Sequence, residues 1–217
     1  MNPYRVIIFD LDGTLTKPKS LWEYIHRSLG LWENRADRYQ ERFLSGEISY
    51  REFCLLDAGL WKGMELSELE TIVDKVEFNS GIEETISHIR SKGLYIALIS
   101  SGLSILSERV KNRFGIDFAV ANELIVKDGR ITGEVKIRVT HNGKGKWIKA
   151  IGRKFKISPE EMIAIGDSKG DIGMFEMVGF SVAFNSSCRE LEDIADICLN
   201  TSDLRDIIPL LPLGPSK

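Results

Sequence analysis

"VIIFDLDGTLT", residues 6–16, drives four apolar residues, three of them β-branched, straight into two aspartates set two positions apart. A short apolar run of this kind reads as a strand buried on both faces, as in a parallel sheet. Extended geometry puts residues i and i+2 on the same side, so Asp10 and Asp12 can face one pocket before Gly13 lets the chain turn. In open parallel sheets ligands sit beyond the carboxyl ends of the strands. The residues just after every such run therefore have to be read as a set.

Three further runs share the character of the first: "LYIALI" (94–99), "MIAIG" (162–166) and "FSVAF" (180–184). Between them lie helix-period segments, "GIEETISHIRSKG", "SILSERVKNRFG", "GKWIKAIGRKF" and "GDIGMFEMVG", three of which end on a glycine able to take the left-handed C-terminal position. Alternating strands and helices predict an α/β fold, a Rossmann-like parallel sheet core. Residues 17–79 break the alternation. They contain no convincing strand and read as four amphipathic helices, "SLWEYIHRSLG", "RADRYQERFLSG", "SYREFCLLDAG" and "ELSELETIVDKV". The expected division is a catalytic core of residues 1–16 and 80–217 with a small helical cap, 17–79, inserted after the first strand. In "NELIVKDGRITGEVKIRV" alternating residues flank Asp128-Gly129, a two-residue hairpin signal. The tail "LLPLGPSK" is expected to fray.

The 217 residues are 43% hydrophobic, enough for a substantial core. With 29 Lys+Arg against 32 Asp+Glu the net charge is −3, so the cationic field that supplies nucleic-acid affinity is absent. No apolar run approaches the roughly 18 residues a membrane helix needs. The opening "MNPYRVIIFD" reaches an acid before a signal-peptide core could form. Three scattered cysteines, Cys54, Cys188 and Cys198, read as reduced thiols and fit a cytoplasmic setting. The expected partner is a small molecule, with neither nucleic acid nor membrane, for a monomer or homodimer.

Beyond the strand ends stand Asp10 and Asp12, Ser100 and Ser101, then Asp167, Ser168 and Asp171, with Lys144 opening a helix. Two acids in one pocket can divide labour, one attacking phosphorus as the ionised form while the other shuttles a proton. Phosphoryl transfer also needs charge neutralised on the equatorial oxygens, a task for an oxygen-ligated Mg²⁺, an ammonium, a hydroxyl and loop N–H groups. Asp167, Lys144 and Ser100 are the matching candidates. Blander readings stand beside these. "DLD" could be a solvated turn, Ser100 or Ser101 a helix cap, Lys144 or Lys146 a surface charge, and Asp171 a cap. His26, His88 and His141 lack ligand spacing and read as surface or boundary residues, while Trp22, Trp32 and Trp61 read as cap packing, one of them able to line a pocket.

"DLDGT", "LISSG", "GKGKW" and "GDSKGDIGMF", in this order, resemble the four motifs of haloacid dehalogenase superfamily phosphatases. The insertion after the first motif and "ANELIVKDGRITGEV" resemble the phosphoserine phosphatase group. The resemblance implies a Mg²⁺-dependent phosphatase acting through an aspartyl phosphate. It makes Asp10 the nucleophile and Asp12 the general acid and base. Asp10, the Asp12 carbonyl and Asp167 would hold Mg²⁺, with Asp171 behind Lys144 and the metal's water shell. Ser100, Ser101, Gly13, Thr14 and Lys144 would contact the phosphoryl group.

The chain also departs from that pattern. Gly170 replaces the usual asparagine of the fourth motif and Ser101 a second glycine. Lys19 falls opposite the glutamate that recognises the substrate amine in those enzymes, and Asp57 near the arginine that clamps its carboxylate. Inverted charges at both places imply that Lys19 and Asp57 either pair with each other or read a different ester. The alternatives are a true phosphoserine phosphatase, a phosphotransferase to a small alcohol, and a non-catalytic phosphate-binding protein, against which the retained proton-transfer acid argues.

Overall fold

Val6–Phe9 forms the strand β1, and all four side chains are buried, two on each face. The computed structural model describes residues 3–214. Ile7 and Phe9 pack into one core with Leu98, Ile165 and Ile89, whereas Val6 and Ile8 pack into a second with Ala97, Met162 and Ile148. Burying one such side chain contributes about 1.5–3 kcal/mol, so a strand apolar on both faces is stable only between two helical layers.

Among the described residues the sheet has seven strands in the order β4-β3-β2-β1-β5-β6-β7. These are β2 (Tyr95–Leu103), β3 (Phe118–Lys127), β4 (Arg130–Lys136), β5 (Met162–Gly166), β6 (Phe180–Phe184) and β7 (Ile197–Leu199). All neighbours are parallel except β3 and β4. Because β2 lies on one side of β1 and β5 on the other, the strand order reverses at β1. The crevice at that reversal lies at the end of β1, where Asp10 begins.

The insertion folds as the four expected helices, α1 (Leu21–Ser28), α2 (Asp37–Leu44), α3 (Tyr50–Gly59) and α4 (Leu66–Val73), with a π-helical turn at Trp32–Ala36 before α2. Ser20 caps α1 through the Glu23 amide, and Ser49 with Glu52 forms a capping box on α3. The core contributes α5 (Ile82–Ser91), α6 (Ser104–Phe114), α7 (Gly145–Phe155), α8 (Ile172–Phe175) and α9 (Arg189–Glu192).

Asp128 and Gly129 both have positive φ, 49° and 75°, the backbone that a two-residue hairpin turn requires. The hairpin of β3 and β4 reaches over to the insertion. The Gly63 amide donates to Ile131 O (2.8 Å), Ile131 N to Met64 O (2.9 Å) and Leu66 N to Gly129 O (2.9 Å), while Arg130 pairs with Glu65.

Some elements depart from expectation. β2 runs on to Leu103 with a register irregularity after Ile99, so Ser100 and Ser101 lie within its last turn of backbone and not beyond it. The edge strand β7 is only three residues long, with Ile197 and Leu199 half-exposed and Cys198 exposed, too short to show an apolar run. Gly93 and Gly115 take positive φ as helix-ending glycines do, but Gly179 does not. A side chain at Gly179 would instead collide with the Glu160 carbonyl. The tail packs through Leu211, which joins the core, and Leu213, which lies against it, while residues 215–217 lie outside the described residues. Among the described residues no helix is long and apolar enough to cross a membrane.

Candidate active site

The Asp10 amide donates to Ile165 O (2.9 Å), extending the β1 ladder by one residue and holding the first acid at the switch point. Gly13 follows with φ of 85°, and a Cβ there would collide with Asp167 Oδ2, so only glycine lets the loop approach the next strand this closely. Asp12 is tied to the insertion by the amide of Leu21, the first residue of α1, which hydrogen-bonds its carboxylate.

Lys144 is the buried lysine of its pair, and Lys146 is exposed. Its ammonium lies 2.5 Å from Asp10 Oδ1 and 2.5 Å from Asp171 Oδ1. Burial opposes the charge on Lys144, but Asp10 and Asp171 outweigh it and raise its pKa. Asp171 Oδ2 accepts from Asp167 N (3.1 Å), Ser168 N (3.0 Å) and the Ser168 hydroxyl. Both oxygens of Asp171 are thus engaged in holding Lys144 and the loop after β5. Its side chain is no cap for α8; it closes the capping box of the turn beginning at Ser168.

Burial is the largest influence on each remaining acid. It pushes Asp10 well above the ordinary carboxylate value despite Lys144, and lifts Asp12 to about 7 against the Leu21 hydrogen bond. It raises Asp167 as well, with Asp171 adding to the effect and Lys19 opposing it. Asp12 Oδ1 and Asp167 Oδ1 are buried and lack a hydrogen-bond partner. Leaving such an atom unpaired costs about 1–3 kcal/mol, more if charged, and a cation bound at Asp167 would remove that cost there. Asp10, Asp167 and Asp171 each offer an oxygen within 4.8 Å of the others. An all-oxygen donor set fits a hard divalent cation such as Mg²⁺.

Above these residues is a cavity of about 210 Å³. Its floor is Asp10, Asp12, Ser101, Gly102 and Lys144, with Lys19 and Ser168 at the side. Its walls are Trp22, Gln40, Phe43, Leu44, Tyr50 and Phe53 from the insertion, and His141 from the core. Ser100 sits beneath the floor, where its Oγ accepts from Gly102 N (2.8 Å), and it caps no helix; α6 begins without a side-chain cap. Thr14 is buried with its hydroxyl unpartnered. The Ser101 carbonyl is fixed by the Tyr50 hydroxyl (2.6 Å) and Asn122 Nδ2 (2.8 Å).

A protein-family model described as haloacid dehalogenase-like hydrolase matches residues 7–176. The chain belongs to that family. It is similar to the phosphoserine phosphatase of Methanocaldococcus jannaschii, 32% identical over 207 residues that span 94% of this chain and 96% of the relative. Likeness to the phosphoserine phosphatase of Idiomarina loihiensis is 28% identity over 207 residues, spanning 95% and 93%. A solved structure of the phospho-aspartyl intermediate analogue of phosphoserine phosphatase superposes with a TM-score of 0.84 at 31% identity, covering 95% of this chain and 98% of that one. A substrate-bound phosphoserine phosphatase complex matches with the same figures. This haloacid dehalogenase-like hydrolase is a phosphatase.

Within this family member Lys19 and Asp57 do not meet. Lys19 Nζ donates to Asp167 Oδ2 (2.7 Å) and to Asn185 O (2.9 Å), beside the floor of the cavity. Asp57 is buried away from the cavity, with Oδ1 3.2 Å from His26 Nε2, and Trp61 Nε1 donates to His26 Nδ1 (3.3 Å). Pairing of Lys19 with Asp57 is therefore corrected: each already has another partner. His26 is fully buried and not a boundary residue: Trp61 Nε1 donates to its Nδ1, and the Asp57 carboxylate lies beside its Nε2 without an aligned hydrogen bond. Trp22 stacks on Trp61 with ring centroids 5.4 Å apart and still reaches the cavity. His141, which lacked any motif, lines the cavity against Phe43 (centroids 5.5 Å), and burial pushes its imidazole below the usual value. The signal that could have found it is its place three residues before Lys144.

Proposed function

We propose that this phosphatase hydrolyses small phosphomonoesters with Mg²⁺ through an aspartyl phosphate on Asp10. The observation that carries the reading is Asp10 and Asp12 side by side at the switch point, with Lys144 on Asp10 and a set of acid oxygens beside them. Asp10, the Asp12 backbone carbonyl and Asp167 would hold the metal, which supplies charge neutralisation for the phosphoryl oxygens. Beside such a cation Asp10 would stay ionised despite its burial.

Asp10 attacks phosphorus as the bond to the ester oxygen breaks, and Asp12 passes its proton to that oxygen so that the product leaves as an alcohol. Asp12 then takes a proton from water as the water oxygen attacks the same phosphorus. Inorganic phosphate departs and Asp10 is restored with Asp12 protonated. Lys144 neutralises the phosphoryl oxygens and orients Asp10, Asp171 holds Lys144, Ser101 and Gly102 border the phosphoryl group, and Ser100 with the Gly13-Thr14 loop supports that floor from beneath. Residues 17–79 act as a helical cap over the core of 1–16 and 80–217 and shield the site from water.

Phosphate release from a panel of small esters, with and without Mg²⁺, tests the reading beside Asp10→Asn. Metal-dependent release lost in the variant supports it; release that survives refutes Asp10 as nucleophile. The names of the relatives favour O-phosphoserine as one ester of the panel.

A further inference from the structure

The cavity is divided by charge. Its charged residues, Asp10 and Asp12 after β1, Lys19 just before α1 and Lys144 at the start of α7, cluster on the side where the phosphoryl group would be held. Neither lysine is spare, since Lys144 is bound to Asp10 and Asp171, and Lys19 to Asp167 and Asn185. The walls that would surround the rest of the ester carry no charged side chain. Four of them are aromatic and brace one another: Phe43 stacks on Phe53 at 5.2 Å, Trp22 tilts against Phe53 at 6.4 Å, and Tyr50 meets Phe43 edge-on at 5.6 Å. The Tyr50 hydroxyl is already given to Ser101 O, which leaves Ser20, Gln40 and His141 as uncharged polar groups of the wall, beside the buried and unpaired Nε1–H of Trp22.

Resting on the phosphatase reading, we propose that the alcohol portion of the substrate is uncharged and apolar or aromatic, enclosed by Trp22, Phe43, Tyr50 and Phe53. An ammonium or carboxylate pushed between these rings would lose its hydration and find no ionic partner. A neutral hydrocarbon body loses only water it binds poorly, and gains contact with rigid rings. The small volume of about 210 Å³ limits that body to the scale of one ring or a short chain.

The test compares alkyl esters whose leaving oxygens are similar, so that wall contacts and not leaving-group chemistry decide the rate. Benzyl phosphate and n-butyl phosphate are set against O-phosphoserine, phosphoethanolamine and phosphocholine, all with Mg²⁺. The expected result is kcat/KM for benzyl phosphate higher than for phosphoserine by about a hundredfold or more. Phe43→Ala should lower kcat/KM for benzyl phosphate about tenfold while changing that for methyl phosphate far less. A preference for phosphoserine overturns the proposal, and so does a preference for phosphocholine, which would make the rings a cage for a cation.

Binding separates this proposal from the reading it rests on. Asp10→Asn is titrated with benzylphosphonate and with aminoethylphosphonate, following Trp fluorescence. Tighter binding of the benzyl compound upholds the aromatic subsite even if no ester is hydrolysed, in which case the phosphatase chemistry alone fails. Equal or weaker binding overturns the subsite whatever the turnover.

Discussion

Lys19 stands where a divalent cation would take charge, and removing it should tighten metal binding. Its ammonium is 2.7 Å from Asp167 Oδ2, and a cation held by Asp167 has to displace or share that contact. Two unit charges at this distance attract by about 1.5 kcal/mol in bulk water. The Lys19 side chain is 55% exposed, which screens the pair down to the range of exposed ion pairs, about 0.2–1 kcal/mol. Asp167 is buried, placing the value in the upper half of that range, about 0.5–1 kcal/mol. Lys19→Met should therefore bind Mg²⁺ about two to five times more tightly, as read by isothermal titration calorimetry. Lys17→Met is the control, because it removes the same charge two residues away from a surface pair with Glu77 and should leave the affinity unchanged. Affinity in Lys19→Met no tighter than in Lys17→Met would refute the competition.

Gly102→Ala should leave the fold intact, since its φ is not in the left-handed region, but its Cβ would come within 2.5 Å of Asp12 Oδ2 and 3.0 Å of Ser100 Oγ. A displaced Asp12 is expected to lower kcat about a hundredfold with little change in Tm. Asp12 at about 7 holds its proton below that pH and loses it above, so kcat/KM for an alkyl ester should fall as pH rises through the Asp12 titration. For p-nitrophenyl phosphate, whose leaving group needs no proton, that limb should be shallower. Asp57→Ala removes the carboxylate beside buried His26 in the helical insertion and should cost about 1–3 kcal/mol in urea unfolding, while the ranking of esters stays as in the parent.

The sequence exposed those features whose cause is local. Val6–Phe9 is apolar on both faces, and Asp10 with Asp12 obeys the two-residue period of a strand, so the central strand and its acids could be read from eleven residues. Asp128-Gly129 revealed the hairpin because few residue pairs accept positive φ twice. Contacts between distant residues had no such signature. Lys19 and Asp167 are 148 positions apart, and nothing in either neighbourhood indicates that they meet. His26 reads as a surface or boundary residue and Asp57 as a partner of Lys19 or of the ester, because burial of the two side by side depends on packing of the whole insertion, here around Trp61. The three-residue β7 escaped notice since an edge strand can form with few buried apolar side chains.

The backbone bonds from residues 63–66 to Gly129 and Ile131 make two separate stretches of the gene one mechanical part. Exchanging residues 17–79 alone with a relative would tear that seam and leave the hairpin's carbonyls and amides facing a foreign surface. A chimera would have to carry both stretches together. Diversification of substrate choice in such a chain is therefore easier by single changes on the inward faces of α1, α2 and α3, where Trp22, Phe43 and Phe53 can each be replaced without unpicking the stitching.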